Sequence, residues 1–561
     1  MNQPTPAIVA QSAVRRLPRL ALLLLCLAYV LPGFIGRGPW KNADVAAFGF
    51  MAELATGRSA WLAPSMLGQS PEVDGLLPYW LGAWAMKLAP AWIAPDLAAR
   101  IPFILLLGVT LAATWHGVYY LARSPRAQPV SFAFGGEAHP TDYARAMADG
   151  GLLALIACLG LAQLSHETTP ALTQICFTAL SFYAVASLRW RTVMPAICLP
   201  VGLFGLSLSG AAAMASLFGA GSLLLCLLAP PNTAQTAHGG MRRWVWPITL
   251  TTLGAAVLAW YLGLWHWRID LAQGGLRDVR SLGRLLLWFT WPALPLALWT
   301  LWRWRRQLLS LHVALPLWFA AVALGTTMAT PATDRSLLLG LPALATLAAF
   351  ALPTLSRSVA ALIDWFTLLF FTGCAIVIWV VWIAMQTGMP PQPAANVARQ
   401  APGFEPTFSL IAFLIALAAT LAWAWLVHWR VGRHRAAIWK SLVLPAGGAA
   451  LSWMLLMTLW LPLLDYARSY APMVRNLSSQ MDAPGCIQTH GLAQAQIAAL
   501  KFHGRLDLAP AGPVAHCPWL VVDATAQATL AQSVDMSQWR QYAVASRPTD
   551  RNESLLLFKR R

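Results

Sequence analysis

Runs of roughly twenty apolar residues, each long enough to cross about 30 Å of hydrocarbon, recur along most of this chain and leave it only one environment in which to fold. They lie near 17–36, 100–122, 148–165, 168–188, 192–208, 211–229, 244–265, 282–303, 309–327, 335–352, 359–386, 407–428 and 440–464, thirteen in all. The expected fold class is therefore a polytopic α-helical membrane protein. Charged residues make up only 11% of the 561, where a soluble protein carries about 25%. The net charge of +18 does not point to nucleic acid, because the basic residues gather in short loops between apolar runs, as topology signals do.

Those basic residues also give an orientation. Arg15, Arg16 and Arg19 precede the first span, and Arg123, Arg126, Arg145, Arg189, Arg191, Arg242, Arg243, Arg303, Arg305, Arg306, Arg357, Arg430, Arg433, Arg435 and Lys440 fall on the same side. That side is expected to be the cytoplasm. An odd number of spans then puts the last segment outside. The first span lacks a small-residue cleavage site and reads as a retained anchor. Segment 76–94 is apolar too, but carries Lys87 and two prolines and reads as an interfacial or half-inserted helix.

Two domains are expected. Residues 1–465 form the membrane domain, including a long outer loop at 37–99, and residues 466–561 form a small α/β domain of ordinary polarity. In the latter, 491–503 has helical spacing, while 519–522 and 554–558 read as strands. Cys486 and Cys517 are the only cysteines of this outer domain and read as a disulfide in an oxidising compartment. The other six lie in apolar spans, where a cysteine is a small core residue.

Chemistry is most expected in the outer loop. It opens Arg37-Gly38-Pro39-Trp40-Lys41-Asn42-Ala43-Asp44, passes Gly57, Trp61 and Pro64, and continues to Glu72-Val73-Asp74-Gly75 and Tyr79-Trp80. Asp44, desolvated near the bilayer surface, is expected to have a raised pKa suited to a general base. Lys41, on the same face if the segment is helical, could meet an anionic headgroup. Trp40 and Trp61 are the substrate-contact candidates among 29 tryptophans, most of which flank span ends as an interfacial belt. His166 and Glu167 occupy a short outer turn, where charge in apolar surroundings is costly unless paired or used. No Walker-type loop, zinc spacing or Gly-x-Ser-x-Gly elbow is present.

The Arg37–Asp44 string, Gly57, Trp61, Pro64 and Tyr79-Trp80 resemble the first periplasmic loop of bacterial GT-C membrane glycosyltransferases of the protein-mannosyltransferase and aminoarabinose-transferase-like superfamily. The thirteen-span layout and the order of Cys486, Gly491-Leu492 and Cys517 are similar as well. The resemblance implies an inner-membrane transferase that takes a sugar from a polyprenyl-phosphate donor and passes it to a hydroxyl or phosphate on an outer-face glycolipid, such as lipid A, or on a protein. It maps the catalytic acid of the first loop onto Asp44. It also implies a donor-phosphate contact at Arg335. Independently of the resemblance, the arginine cluster in the loop after the seventh span, with Arg268 first, could bind that phosphate through planar guanidinium groups. A divalent metal is implied only through Glu72 and His266, too few ligands to define a site; no other cofactor is expected.

The chain departs from the family at three points. Asp44-Val45 stands for Asp-Glu, Glu72-Val73-Asp74-Gly75 replaces a Glu-Lys-Pro-Pro run whose lysine contacts phosphate, and a second-loop Asp is missing unless Glu167 substitutes. An impaired homologue serving as a lipid-binding or partner scaffold is the alternative these departures raise. A lipid or glycolipid transporter is a third reading, disfavoured by the absence of internal symmetry and by the folded outer tail.

Overall fold

The computed structural model describes residues 5–228, 240–265, 276–329, 334–431, 437–482 and 485–561. A helix occupies each of the thirteen apolar stretches. Among the described residues, however, six helices are long and apolar enough to cross a membrane alone, or up to eight if each of two bent pairs is one span. The difference has local causes. The stretch 148–165 breaks at Cys158, whose backbone is extended between helices Pro140–Ala157 and Leu159–Leu164. The stretch 282–303 turns through 92° between Phe289 and Ala293, where Pro292 offers no N–H to continue a helix. Lys440–Leu456 and Leu461–Arg468 meet at 70°.

The outer loop is helical rather than irregular. Helix α1 (Arg19–Val30) leads into the loop, α2 (Ala43–Ala55) and α3 (Leu77–Leu88) lie within it, and α4 (Pro95–Ala122) leaves it. Helix α3 leaves Trp84 and Leu88 exposed, with Trp92 just beyond it, as an interfacial helix would.

The C-terminal region forms a five-stranded sheet. Its strands are β1 (Cys486–His490), β2 (Asp507–Pro510), β3 (Trp519–Asp523), β4 (Trp539–Arg547) and β5 (Asp550–Arg560), in the order β2-β1-β3-β5-β4. β1 pairs in parallel with β2 and β3, while β5 runs antiparallel to β3 and β4. Alternation along the strands divides their apolar residues between two faces. Trp519, Val521, Leu555 and Leu557 join the main core with Ile497 and Leu500 of the crossover helix Gln494–Gly504. Leu520, Val522, Leu556 and Phe558 pack on the other side with Leu530. Cys486 and Cys517 are disulfide-bonded, tying β1 to the approach to β3.

This sheet domain is seated on the outer loop. Helix α2 packs against Gln494–Gly504 so closely that a Cβ on Gly49 would sit 2.5 Å from the Ala498 Cβ. Phe48 meets Phe502 edge to face at 4.7 Å between ring centroids. Lys501 Nζ reaches Glu53 at 3.1 Å. The foot of the loop is thereby covered from above.

Candidate functional site

The site is built where three chain segments converge: the start of the outer loop, the turn Ser165–Thr169, and helix Leu461–Arg468 beneath the sheet domain. Asp44 lies in the first turn of α2, where the helix dipole favours a carboxylate. Its Oδ2 accepts hydrogen bonds from Arg37 Nη1 at 2.7 Å and the Trp40 backbone N–H at 3.0 Å. Its Oδ1 accepts from the Thr168 N–H and hydroxyl, both at 2.7 Å. The side chains of Asp44 and Arg37 are each 1% exposed.

Arg37 has no slack either. It donates to the carbonyl oxygens of Gly33, Gly38 (3.1 Å) and His166 (2.6 Å). Arg100, at the far end of the loop, donates to the Arg37 carbonyl at 2.6 Å. Two arginines thus close the base of the loop around one carboxylate.

This geometry reverses the expected electrostatics of Asp44. Burial would raise its pKa, but Arg37 and Arg100 together with the Trp40 N–H and the Thr168 hydroxyl outweigh it and hold the group at about 2, below its ordinary 3.8. A desolvated carboxylate with a raised pKa was expected. The paired arginines, missing from that reasoning, make it a firmly ionised one.

Glu167, one residue before Thr168, is the second buried carboxylate of the site. Its Oε1 accepts from Gln163 Nε2 at 3.2 Å, and its Oε2 from Arg335 Nη2 at 2.9 Å. Its pKa is raised: burial is the largest cause, the Asp44 charge adds to it, and Arg335 opposes it. Arg335 lies in the short helix Asp334–Leu338 and is 33% exposed, against 3% for Glu167. The pair therefore has one dry and one wet partner.

No protein-family model and no curated protein matches the chain. The crystal structure of ArnT from Cupriavidus metallidurans in the apo state aligns over 96% of this chain and 96% of its own, with a TM-score of 0.61 and 13% identity. The same protein bound to undecaprenyl phosphate aligns over the same shares with a TM-score of 0.54 and 13% identity. The fold is ArnT-like. It combines apolar helices with a small C-terminal sheet domain.

Within this ArnT-like frame the remaining candidates separate. His166 is not a group facing the site with a free ring. It is enclosed by Trp453, Phe34 and Tyr29 at centroid distances of 4.6, 5.0 and 5.6 Å. Burial lowers its pKa to about 4, so the imidazole is neutral, and only its carbonyl reaches Arg37. Trp40 is likewise not open for sugar stacking. Arg37 and Arg468 lie over its ring at 4.5 and 5.5 Å, and its Nε1 donates to Asp465 at 2.9 Å.

Lys41 precedes α2 instead of sharing its face. Its Nζ reaches Asp550 at 3.1 Å and Glu553 at 3.6 Å, so it anchors the sheet domain to the loop rather than waiting for a headgroup. Trp61 belongs to an aromatic group around α3, stacked with Trp84 at 6.1 Å and facing Lys87 at 5.0 Å, not to the Asp44 cluster. Glu72 is exposed. The backbone of Asp74 lies against the turn at Gly210, where an added Cβ would meet the Asp74 carbonyl at 3.0 Å. Arg268 and His266 fall outside the described residues. Among the described residues no three His, Cys, Asp or Glu side chains gather as a metal site.

Sequence reasoning missed Arg37, Arg100, Thr168 and Asp465. A signal existed for the arginines: both stand at the junction of the outer loop with an apolar span, where an unpaired guanidinium is costly. Nothing marked Asp465, whose Oδ1 accepts from the Gly38 N–H and Trp40 Nε1, each at 2.9 Å, across more than four hundred residues.

Proposed function

We propose that this protein is a membrane glycosyltransferase that moves a sugar from a polyprenyl-phosphate-linked donor to an acceptor on the outer face of the bacterial inner membrane. The acceptor is a glycolipid such as lipid A, or a protein. In this reading the N-terminus is cytoplasmic and residues 466–561 are a periplasmic domain covering the site. The observation that carries it is the partly exposed Arg335, paired with a buried Glu167 beside the Arg37–Asp44 ion pair, in a fold shared with a protein crystallised with undecaprenyl phosphate.

The chemistry follows from where charge develops. Attack at the anomeric carbon breaks the bond to the donor phosphate, and the leaving group gains negative charge. A planar guanidinium at the edge of a dry cluster is suited to meet it. Arg335 takes that part; Arg268 is a second candidate for it. Asp44 holds Arg37 and the turn at Thr168 in place. With both oxygens already accepting two hydrogen bonds, it serves as a positioning anion rather than as the base.

The saturated Asp44 also favours a second reading, an impaired homologue that binds the lipid without turning it over. Binding and transfer are separable. Protein in nanodiscs is titrated with undecaprenyl phosphate and with undecaprenol as the uncharged control. Saturable binding of the phosphate alone is expected, weakened about 10- to 100-fold by Arg335→Gln, the loss of a charged hydrogen bond. Binding without transfer in the presence of sugar-charged lipid would select the second reading, and equal binding of both lipids would dismiss each.

A further inference from the structure

Asp44 and Glu167 are near neighbours with opposite prospects as proton acceptors. Asp44 makes four hydrogen bonds, two to each oxygen. Glu167 accepts one at each oxygen, from Gln163 and from Arg335, leaving a lone pair on each oxygen uncommitted among the described residues. Among the described residues its salt-bridge partner is Arg335, whose side chain is 33% exposed.

We propose that Glu167, released from Arg335 when a polyprenyl phosphate engages that guanidinium, takes the proton from the acceptor hydroxyl. The inference rests on the transferase reading and deepens it by naming the acceptor class, an alcohol. The acceptor O–H proton passes to a Glu167 oxygen as the hydroxyl oxygen bonds to the anomeric carbon. The bond from that carbon to the donor phosphate breaks with its electron pair on the phosphate, which Arg335 holds. A phosphate acceptor is already ionised and needs no such base.

The surroundings of Glu167 favour the exchange. Arg335 faces it from helix Asp334–Leu338, Arg468 acts on it from helix Leu461–Arg468, and Asp44 and Arg37 act on it from the outer loop; the adjacent His166 is neutral. Drawing Arg335 away leaves a dry carboxylate beside the negative Asp44. Its affinity for a proton then rises by the same burial and repulsion that already raise it. A proton acceptor poised nearer neutrality is the more effective one.

Two readouts test this. Protonation is followed as a function of pH by difference infrared spectroscopy of the carboxyl carbonyl stretch, with and without undecaprenyl phosphate, on protein in nanodiscs. In wild type the protonated-carboxyl band should appear at higher pH with the lipid bound than without it, the group staying ionised at the pH of transfer. Glu167→Gln should bind without that band, and Arg335→Gln should show it at the higher pH before lipid is added. With an alcohol acceptor and sugar-charged donor, Glu167→Gln should lower kcat by about 10²- to 10⁴-fold with KM little changed, and Glu167→Asp should recover part of the loss. Saturable lipid binding that leaves the pH of that band unchanged in wild type would overturn the release of Glu167. Transfer undiminished in Glu167→Gln would overturn its role as acceptor of the proton. If undecaprenyl phosphate does not bind at all, the transferase reading falls, and the inference falls with it.

Discussion

Arg37 Nη1 and Asp44 Oδ2 meet at 2.7 Å with both side chains sealed from water. The remaining donors of Arg37 go to carbonyl oxygens, and the remaining lone pairs of Asp44 go to Trp40 and Thr168. Such a pair is weak evidence of net stabilisation, yet breaking it from one side is expensive because the survivor is left charged and dry. Arg37→Ala should therefore lower stability by about 3–5 kcal/mol. The double variant Arg37→Ala/Asp44→Ala should cost clearly less than the two single losses summed. Unfolding in detergent micelles measures both, and additive losses would contradict a coupled pair.

The same pair sets an acid limit. The folded-state pKa of Asp44 lies below its ordinary 3.8, at about 2. A depressed carboxylate contributes stability that is fully present above the unfolded value and is lost as pH falls through the folded one. The shift corresponds to about 2–3 kcal/mol. Stability should thus hold from neutral pH to about pH 5 and decline between about pH 4 and 2. Asp44→Asn should lack this portion of the decline; an identical acid profile would contradict the assignment.

Glycine at position 49 is what lets the sheet domain sit down on the loop. Gly49→Val would push a side chain into Ala498 and the Met66 sulfur, 2.5 and 3.0 Å from its Cβ. Overpacking of this kind costs about 1–3 kcal/mol. It should also loosen the docking, so that limited proteolysis cuts between 470 and 485 faster than in wild type, while Gly108→Ala in α4, with no neighbour within 4 Å of its Cβ, serves as the control.

The disulfide closes a loop of 31 residues between Cys486 and Cys517. Chain-entropy reasoning gives about 3–4 kcal/mol for a loop of that size. Cys486→Ser/Cys517→Ser should therefore destabilise the sheet domain by that order. Hydrogen exchange should show faster exchange in β1 and β3 while the helices 170–187 and 341–351 keep their protection. Uniform acceleration through the membrane helices would argue against a local role.

How far the sequence alone reached follows from which interactions are local. Hydropathy is summed over a window, so every apolar stretch was placed, and the strands at 519–522 and 554–558 lie within β3 and β5. Breaks at Cys158 and Pro292 depend on packing and were not. Asp44 and Glu167 could be picked out as acids in costly places, but their character is decided by partners far off in the chain. Arg37 and Thr168 make the one a bound anion, and Arg335, 168 positions away, makes the other a releasable one. Residue type alone singles out Trp40, Trp61 and Lys41, and type cannot say whether a ring is already covered by two guanidinium groups or an ammonium already paired with β5.

The most direct measurement is sugar transfer by purified wild-type protein in nanodiscs, supplied with undecaprenyl-phosphate-linked sugars and a glycolipid extract of bacterial membranes, beside Asp44→Asn. Wild type should release undecaprenyl phosphate in step with glycosylated acceptor, and Asp44→Asn should lose transfer by at least about 10²-fold, as removal of a preorganised charge does, while remaining folded. Folded wild-type protein that binds the donor yet transfers nothing, or Asp44→Asn protein that transfers as well as wild type, would contradict a transferase built on this cluster.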